Sequence, residues 1–215
     1  GSFAGLRNLP HLAGLATRGE PEVIRRTVAE ITSLLNAREA YFREQGIDSI
    51  DTYRTRRAQG VVDDGYGDIF LVVDGWATMR ADYESLEVAV QEIAARGLSF
   101  GIHVIITANR WLEIRPAMKD LMGGKIELRL GDAGDSEIGR KAAGNVSALP
   151  GRGLDPSGLQ MLTALPRIDG ETVPETLVDA VGERLRERLA KITVGDPKVE
   201  GVRMGALASK DQQRD

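Results

Sequence analysis

Ile69-Phe70-Leu71-Val72-Val73-Asp74-Gly75 is the stretch on which the fold turns. Five apolar residues in succession end abruptly on a carboxylate and a glycine. So short a continuous run predicts a strand buried on both faces, as in a parallel sheet. Upstream, Pro21 follows Glu20 at a plausible first helical position. Ile24, Val28, Ile31, Leu35 and Phe42 then recur at helical spacing, with Arg25, Arg26, Glu30, Arg38 and Glu39 assigned to the polar face. That pattern predicts an amphipathic helix ending near Gly46. A short helix carrying Arg54, Arg56 and Arg57 is expected over 49–57, and an exposed loop over 59–68. Downstream, a helix is expected over 83–96, a second buried strand over 102–107, and a short helix over 118–122 that stops at Gly123-Gly124. The strictly alternating Ile126-Glu127-Leu128-Arg129-Leu130 suits a half-exposed or edge strand. A short helix over 136–143, a strand over 158–165 closed by Pro166, and a last helix opening at Pro174 complete the order. Strands alternating with helices indicate an α/β domain with a mostly parallel sheet. Ligands of such sheets bind at the carboxyl ends of the strands, here just after Val73, Thr107 and Leu130.

Composition narrows the chemistry. The chain has 215 residues, 28 Lys+Arg against 32 Asp+Glu, and a formal net charge of -4. An acidic balance argues against a free-standing duplex-DNA binder. With no cysteine, a disulfide scaffold, a thiolate metal site and a cysteine nucleophile are excluded. Two histidines, His11 and His103, are too few for a zinc site, and His103 reads as a core or interface residue of its strand. No apolar run approaches the length of a membrane span. The 25 glycines suggest tight turns or loops where backbone approaches a ligand.

Four constellations could carry function. The strand ending at Asp74 has the form of a Walker B element, which presents a carboxylate to Mg²⁺ through water. Taken alone it reads equally as a buried strand whose Asp caps the next helix. Gly75 stands where a water-polarising Glu often follows the Asp. The strand ending in Thr107-Ala108-Asn109-Arg110 can place a sensor group near a γ-phosphate, or end in an ordinary polar turn. Gly97-Leu98-Ser99-Phe100-Gly101 matches G-x-S-x-G, but the expected helix precedes it and the strand follows, the reverse of a nucleophile elbow. In Pro150-Gly151-Arg152-Gly153, Arg152 could meet phosphate or carboxylate, although a solvated hairpin-like turn is the simpler reading. No G-x-x-x-x-G-K-[ST] phosphate cradle and no G-x-G-x-x-G occur.

Taken in order, several segments resemble one family. They include Leu6-Arg7-Asn8-Leu9-Pro10-His11, Gly67-Asp68 leading into the Asp74-Gly75-Trp76 strand, Gly101-Ile102-His103-Val104, Thr107-Ala108-Asn109-Arg110-Trp111, Glu127-Leu128-Arg129-Leu130-Gly131-Asp132, Pro150-Gly151-Arg152-Gly153 and Leu165-Pro166-Arg167-Ile168-Asp169-Gly170. Together, over about residues 5–192, they are similar to ATPase domains of the EccC family, the FtsK/SpoIIIE-type motors of ESX (type VII) secretion systems.

The resemblance implies a P-loop NTPase fold from which the Walker A unit is missing. Residues 1–192 would be part of one ATPase domain and 193–215 a polar linker or disordered tail. Asp74-Gly75-Trp76 matches the second, degenerate domain of the family, with weak or absent hydrolysis. In a complete domain Asp74 would face Mg²⁺ through water, and Gly75, Asn109 and Arg110 would lie near ATP. Arg96, Arg152, Trp76 and Trp111 are the interface or loop candidates, Arg96 lying two residues from Leu98, where an arginine finger would align. Neighbouring ATPase domains, WXG-type secreted effectors and a membrane secretion complex are the implied partners, at the cytoplasmic face of the membrane. Without a phosphate cradle the chain alone is expected to bind little ATP. FtsK-type DNA translocation and a nucleotide-free interaction domain are the alternatives.

Overall fold

A computed structural model describes residues 3–164, 174–190, 194–195 and 204–205. The chain divides into two compact units, one of residues 18–164 and one joining 1–17 with 165–215. In the first unit the order is α1 (Pro21–Glu44), α2 (Ile50–Ala58), β1 (Ile69–Val73), α3 (Trp76–Asp82), α4 (Glu84–Gly97), β2 (Ile102–Ile106), α5 (Pro116–Lys119), β3 (Glu127–Leu128), α6 (Arg140–Gly144), β4 (Arg152–Leu154) and β5 (Gln160–Leu162). In the second, α7 (Pro174–Leu189) packs on a short 3-10 turn at Ala4–Leu6, and β6 (Val194–Gly195) pairs in parallel with β7 (Met204–Gly205). The segment 165–170 and most of 193–215, where a linker or disordered tail was expected, lie outside the described residues.

β1 and β2 pair in parallel with Ile69 opposite Ile102 and Val73 opposite Ile106. Side chains alternate across a strand, so this register puts Ile69, Leu71 and Val73 on one face together with Ile102, Val104 and Ile106. That face packs on Val28, Ile31 and Leu35 of α1 and Val90 and Ile93 of α4. The opposite face carries Phe70, Val72 and Ile105, each about half exposed, and His103 stacked on Phe70 with ring centroids 4.7 Å apart. The expectation of a strand buried on both faces is therefore met on one face only. Both packed helices lie on the same side, and no described element covers the other.

α1 forms where its periodicity predicts it, with Pro21 at the first turn and Glu22 and Arg43 at the ends that suit their charges. Its buried stripe is Val28, Ile31, Leu35, Arg38 and Phe42, so the fourth member is an arginine. Arg38 was expected on the polar face; it is 2% exposed. Five hydrogen bonds account for its burial. Nε and Nη2 donate to the two oxygens of Asp64 at 2.7 and 3.2 Å, Nη1 donates to the Phe100 carbonyl, and Nη2 also donates to the carbonyls of Tyr66 and Gly67. The guanidinium lies over the Tyr53 ring, and the Tyr53 hydroxyl donates to Asp64. The loop over 59–68 is consequently pinned rather than simply exposed: Val62 is buried and Asp64 is drawn inward.

α2 starts at an N-cap, Ser49, whose hydroxyl accepts from the Thr52 amide at 3.1 Å. The helix expected over 83–96 is preceded by an unforeseen one, α3, and the helix expected over 118–122 is shifted to α5. The remaining strands of the first unit form an antiparallel sheet in the order β3-β4-β5, with β3 at an edge as expected. Pro150-Gly151 does form a turn, with Gly151 at φ 75°, but Arg152 and Gly153 open the central strand, Arg152–Leu154. Gly153 is required there: a Cβ would sit 2.3 Å from the Glu127 carbonyl oxygen.

The Arg38 network predicts a stability profile with two limbs. Burial pushes the Asp64 carboxyl up, but hydrogen bonds from Arg38, Tyr53 and the Tyr66 amide, with the Arg38 charge, outweigh it and hold the group below its ordinary 3.8. Its stabilisation is present above that value and is lost as pH falls through the lower folded pKa. Tyr53 is pushed up from 10.0 to about 12, chiefly by burial and then by its hydrogen bond to Asp64. Its contribution is complete below pH 10.0 and is lost as pH rises to about 12. Denaturant melts against pH should show both limbs in the wild type. Asp64→Asn should flatten the acid limb, Tyr53→Phe the alkaline one, and Arg38→Ala should cost about 3 kcal/mol at neutral pH.

Candidate functional site

The parallel register delivers two chain segments to one edge. Beyond Val73 come Asp74 and Gly75; beyond Ile106, its partner, come Thr107, Ala108, Asn109 and Arg110. The ladder continues past both strands, since the Thr107 amide donates to the Val73 carbonyl at 3.0 Å and the Trp76 amide donates to the Thr107 carbonyl at 2.8 Å. The Thr107 hydroxyl donates to Asp74 Oδ1 at 2.7 Å and accepts from the Gly75 amide at 2.9 Å. Asp74 and Thr107 are exposed, and among the described residues Asp74 Oδ2 has no hydrogen-bond donor and no cation within ion-pair distance. A solvent-facing carboxylate with one oxygen held and one open suits a cation-bound water. Asp74 thus fits Mg²⁺ held through water.

Gly75 has φ 84° and ψ 64°, a left-handed conformation, and caps α3. A Cβ here would meet nothing nearer than Thr78 at 3.9 Å, so the constraint is backbone strain rather than space. Asn109 and Arg110 follow in an exposed loop. Glu113 ties that loop by accepting from the Asn109 amide at 3.0 Å, and the Arg80 guanidinium donates to the Glu113 carbonyl at 2.7 Å. The Arg110 carbonyl accepts from the Glu113 amide at 3.1 Å, but the side chains of Asn109 and Arg110 have no bonded partner among the described residues, so both can face a ligand.

The other candidates disperse. Trp76, expected at an interface or loop, is fully buried in the main core beside Leu71, Ile93 and Met118; an indole two residues after Asp74 falls on the inner face of α3. Arg96, at the end of α4, donates to Asn36 and Glu39 of α1. It lies just before the amino end of β2, the end of the sheet remote from Asp74, and so takes no part in this chain's Asp74 site. Arg152 is half-buried in β4.

Trp111 is half-buried and donates through Nε1 to Glu127 at 2.6 Å. Glu127 is 3% exposed and reverses the expected facing of its strand, with Ile126 and Leu128 outward and the carboxylate inward. Besides Trp111 it accepts from the Ser136 hydroxyl and the amides of Glu137 and Ile138. This ring of donors links the loop after β2 to the antiparallel sheet. Sequence reasoning missed Thr107 as an individual contributor and missed Glu127 altogether. The acidic residue set among apolar ones in β3 was the available signal.

The model of the FtsK/SpoIIIE family matches residues 1–169. The chain belongs to the FtsK/SpoIIIE family. The ESX secretion system protein EccC of Thermomonospora curvata is 53% identical over 188 residues, covering 86% of this chain and 14% of that protein. The ESX-1 protein EccCb1 of Mycobacterium tuberculosis is 38% identical over 202 residues, covering 93% of this chain and 34% of that one. The solved structure of ATPases 2 and 3 of Thermomonospora curvata EccC in complex with a signal sequence peptide superposes with TM-score 0.79 at 50% identity, covering 95% of this chain and 37% of that one. This FtsK/SpoIIIE domain thus spans about a seventh of the first relative and about a third of the second. It shares the P-loop ATPase fold of the EccC ATPases, a family whose intact domains bind nucleotide and Mg²⁺.

Two expectations follow from the site. Gly75→Ala should cost about 1–2 kcal/mol in a denaturant melt, and Gly75→Asn less, because asparagine tolerates the left-handed region. Glu127→Gln should cost about 2 kcal/mol by turning an amide NH₂ toward donors. It should also red-shift the emission of Trp111, with Trp111→Phe as the control that isolates the buried Trp76.

Proposed function

We propose that this chain is part of a nucleotide-binding ATPase domain of an EccC-type secretion motor, corresponding to its second, degenerate ATPase. The observation that carries the reading is the Asp74–Thr107–Gly75 cluster at the carboxyl ends of two parallel strands, in a chain about half identical to EccC. Asp74 would hold a Mg²⁺-bound water, and Asn109 and Arg110 would approach the phosphates. When bound, Mg²⁺ supplies charge neutralisation to the phosphate oxygens. This chain's part is to fix the carboxylate and the loop after β2. The phosphate cradle would come from polypeptide other than these 215 residues, which contain no Walker A sequence.

Gly75 supports a binding rather than a hydrolytic role. It lacks the carboxylate that polarises water in hydrolysing relatives, and its left-handed backbone opposes a simple return to Glu. The exposed apolar row Phe70, Val72 and Ile105 supports packing against neighbouring ATPase polypeptide, since parallel sheets are ordinarily covered on both faces. In this reading the domain works at the cytoplasmic face of a membrane secretion complex, Arg152 and Trp111 lie toward domain neighbours, and WXG-type effectors are the cargo. Among the described residues no helix is long and apolar enough to cross a membrane. The net charge of -4 and the secretion relatives both weigh against DNA as the cargo.

Isothermal titration is the test. The 215-residue chain should show no tight Mg-ATP binding. The full-length protein carrying this sequence should bind, and Asp74→Ala should weaken Mg-ATP by about tenfold or more, the scale of one charge-assisted interaction. Tight binding by the chain alone would overturn the external phosphate cradle. An unchanged Asp74→Ala affinity would overturn the metal assignment.

A further inference from the structure

Resting on the nucleotide-binding reading above, we infer that Thr107 is the positioning residue of the metal-water site, fixing the Asp74 carboxylate through Oδ1 so that Oδ2, without a donor among the described residues, is presented to the water shell of a divalent cation. A hydroxyl has one proton and two acceptor lone pairs. The Gly75 amide, 2.9 Å away, can only donate, so it fills a lone pair. The Asp74 carboxylate oxygen, 2.7 Å away, accepts, so the hydroxyl proton points to it. The proton position of Thr107 is thereby determined by its two neighbours, and its bond to Asp74 is charge-assisted. The amide bonded to the hydroxyl oxygen polarises it further.

The backbone leaves Thr107 no freedom to abandon this role. Its amide is bonded to the Val73 carbonyl and its carbonyl to the Trp76 amide. Four hydrogen bonds therefore tie the residue just beyond β2 to residues 73–76, the last residue of β1 and the three that follow it. Fixing a carboxylate before its cation arrives removes an ordering cost from binding, the usual advantage of groups that orient a metal ligand.

The experiment compares nucleotide affinity with Mg²⁺ and in EDTA, using the full-length protein carrying this sequence. Thr107→Val removes the hydroxyl and keeps the shape, and should weaken Mg-ATP about tenfold while leaving metal-free ATP unchanged. Thr107→Ser keeps both hydrogen bonds and should hold Mg-ATP within about twofold of wild type. Thr107→Ala deletes the same hydroxyl with less bulk and replaces the valine variant if that protein melts early. Equal losses with and without Mg²⁺ would reduce Thr107 to a structural residue and overturn the inference, as would wild-type Mg-ATP affinity in the hydroxyl-less variants. Asp74→Ala separates the two levels. If it weakens Mg-ATP and Thr107→Val does not, the inference about Thr107 fails alone. If Asp74→Ala has no effect, the metal reading fails and the inference with it.

Discussion

The parallel pairing of β1 with β2 is the constraint on which the rest of this structure depends. Its register does two things at once. It collects Ile69, Leu71, Val73, Ile102, Val104 and Ile106 into one apolar face that α1 and α4 can cover. It also brings the residues after Val73 level with those after Ile106, so that Asp74 and Thr107 meet. A slip of one residue would turn the slipped strand's apolar set to the opposite face and part the carboxylate from the hydroxyl. Core and site are therefore specified by the same hydrogen-bond ladder.

Two buried charges extend that order outward, and they are solved differently. Arg38 is a cation met by the Asp64 carboxylate and three backbone carbonyls, and it gathers the 59–68 loop and the turn after α4, at Phe100, onto α1. Among the described residues Glu127 has no cation opposite it; an indole, a hydroxyl and two amides supply its donors. Each satisfies the rule that a charge leaves water only when its hydrogen-bonding capacity is met. Each also connects a loop to a neighbouring element, so the loops flanking the sheet are held by polar contacts rather than by apolar burial.

The long elements were legible because periodicity alone carries them. α1, α4, β1 and β2 sit within a few residues of where the apolar spacing puts them, and the Asp74 strand end was recognisable as a carboxylate at a sheet edge. The failures share a cause. Arg38 and Glu127 are charged residues whose hydrogen-bond partners lie 26 and 9 residues away at the nearest, beyond the reach of a helix or strand period, so no local spacing marks them as buried. In Pro150-Gly151-Arg152-Gly153 the turn stops at Gly151, and Gly153 is there instead to let β4 lie against Glu127. Trp76 looked like a surface aromatic next to a site, but the helix it opens turns it into the core.

By itself, the sequence determined the α/β class, the order of the principal helices and strands, the absence of a Walker A cradle from these residues, and the kinship to secretion ATPases. These follow from apolar spacing and from ordered motifs, both of which are properties of the chain read in one dimension. Tertiary structure alone decided that one face of the parallel pair is covered and the other open, that Arg38 and Glu127 turn inward, and that Thr107 rather than Asn109 touches Asp74. Those outcomes depend on which atoms the β1–β2 register and the helix packing bring together across 33 residues of intervening chain, and no local pattern encodes a contact of that separation.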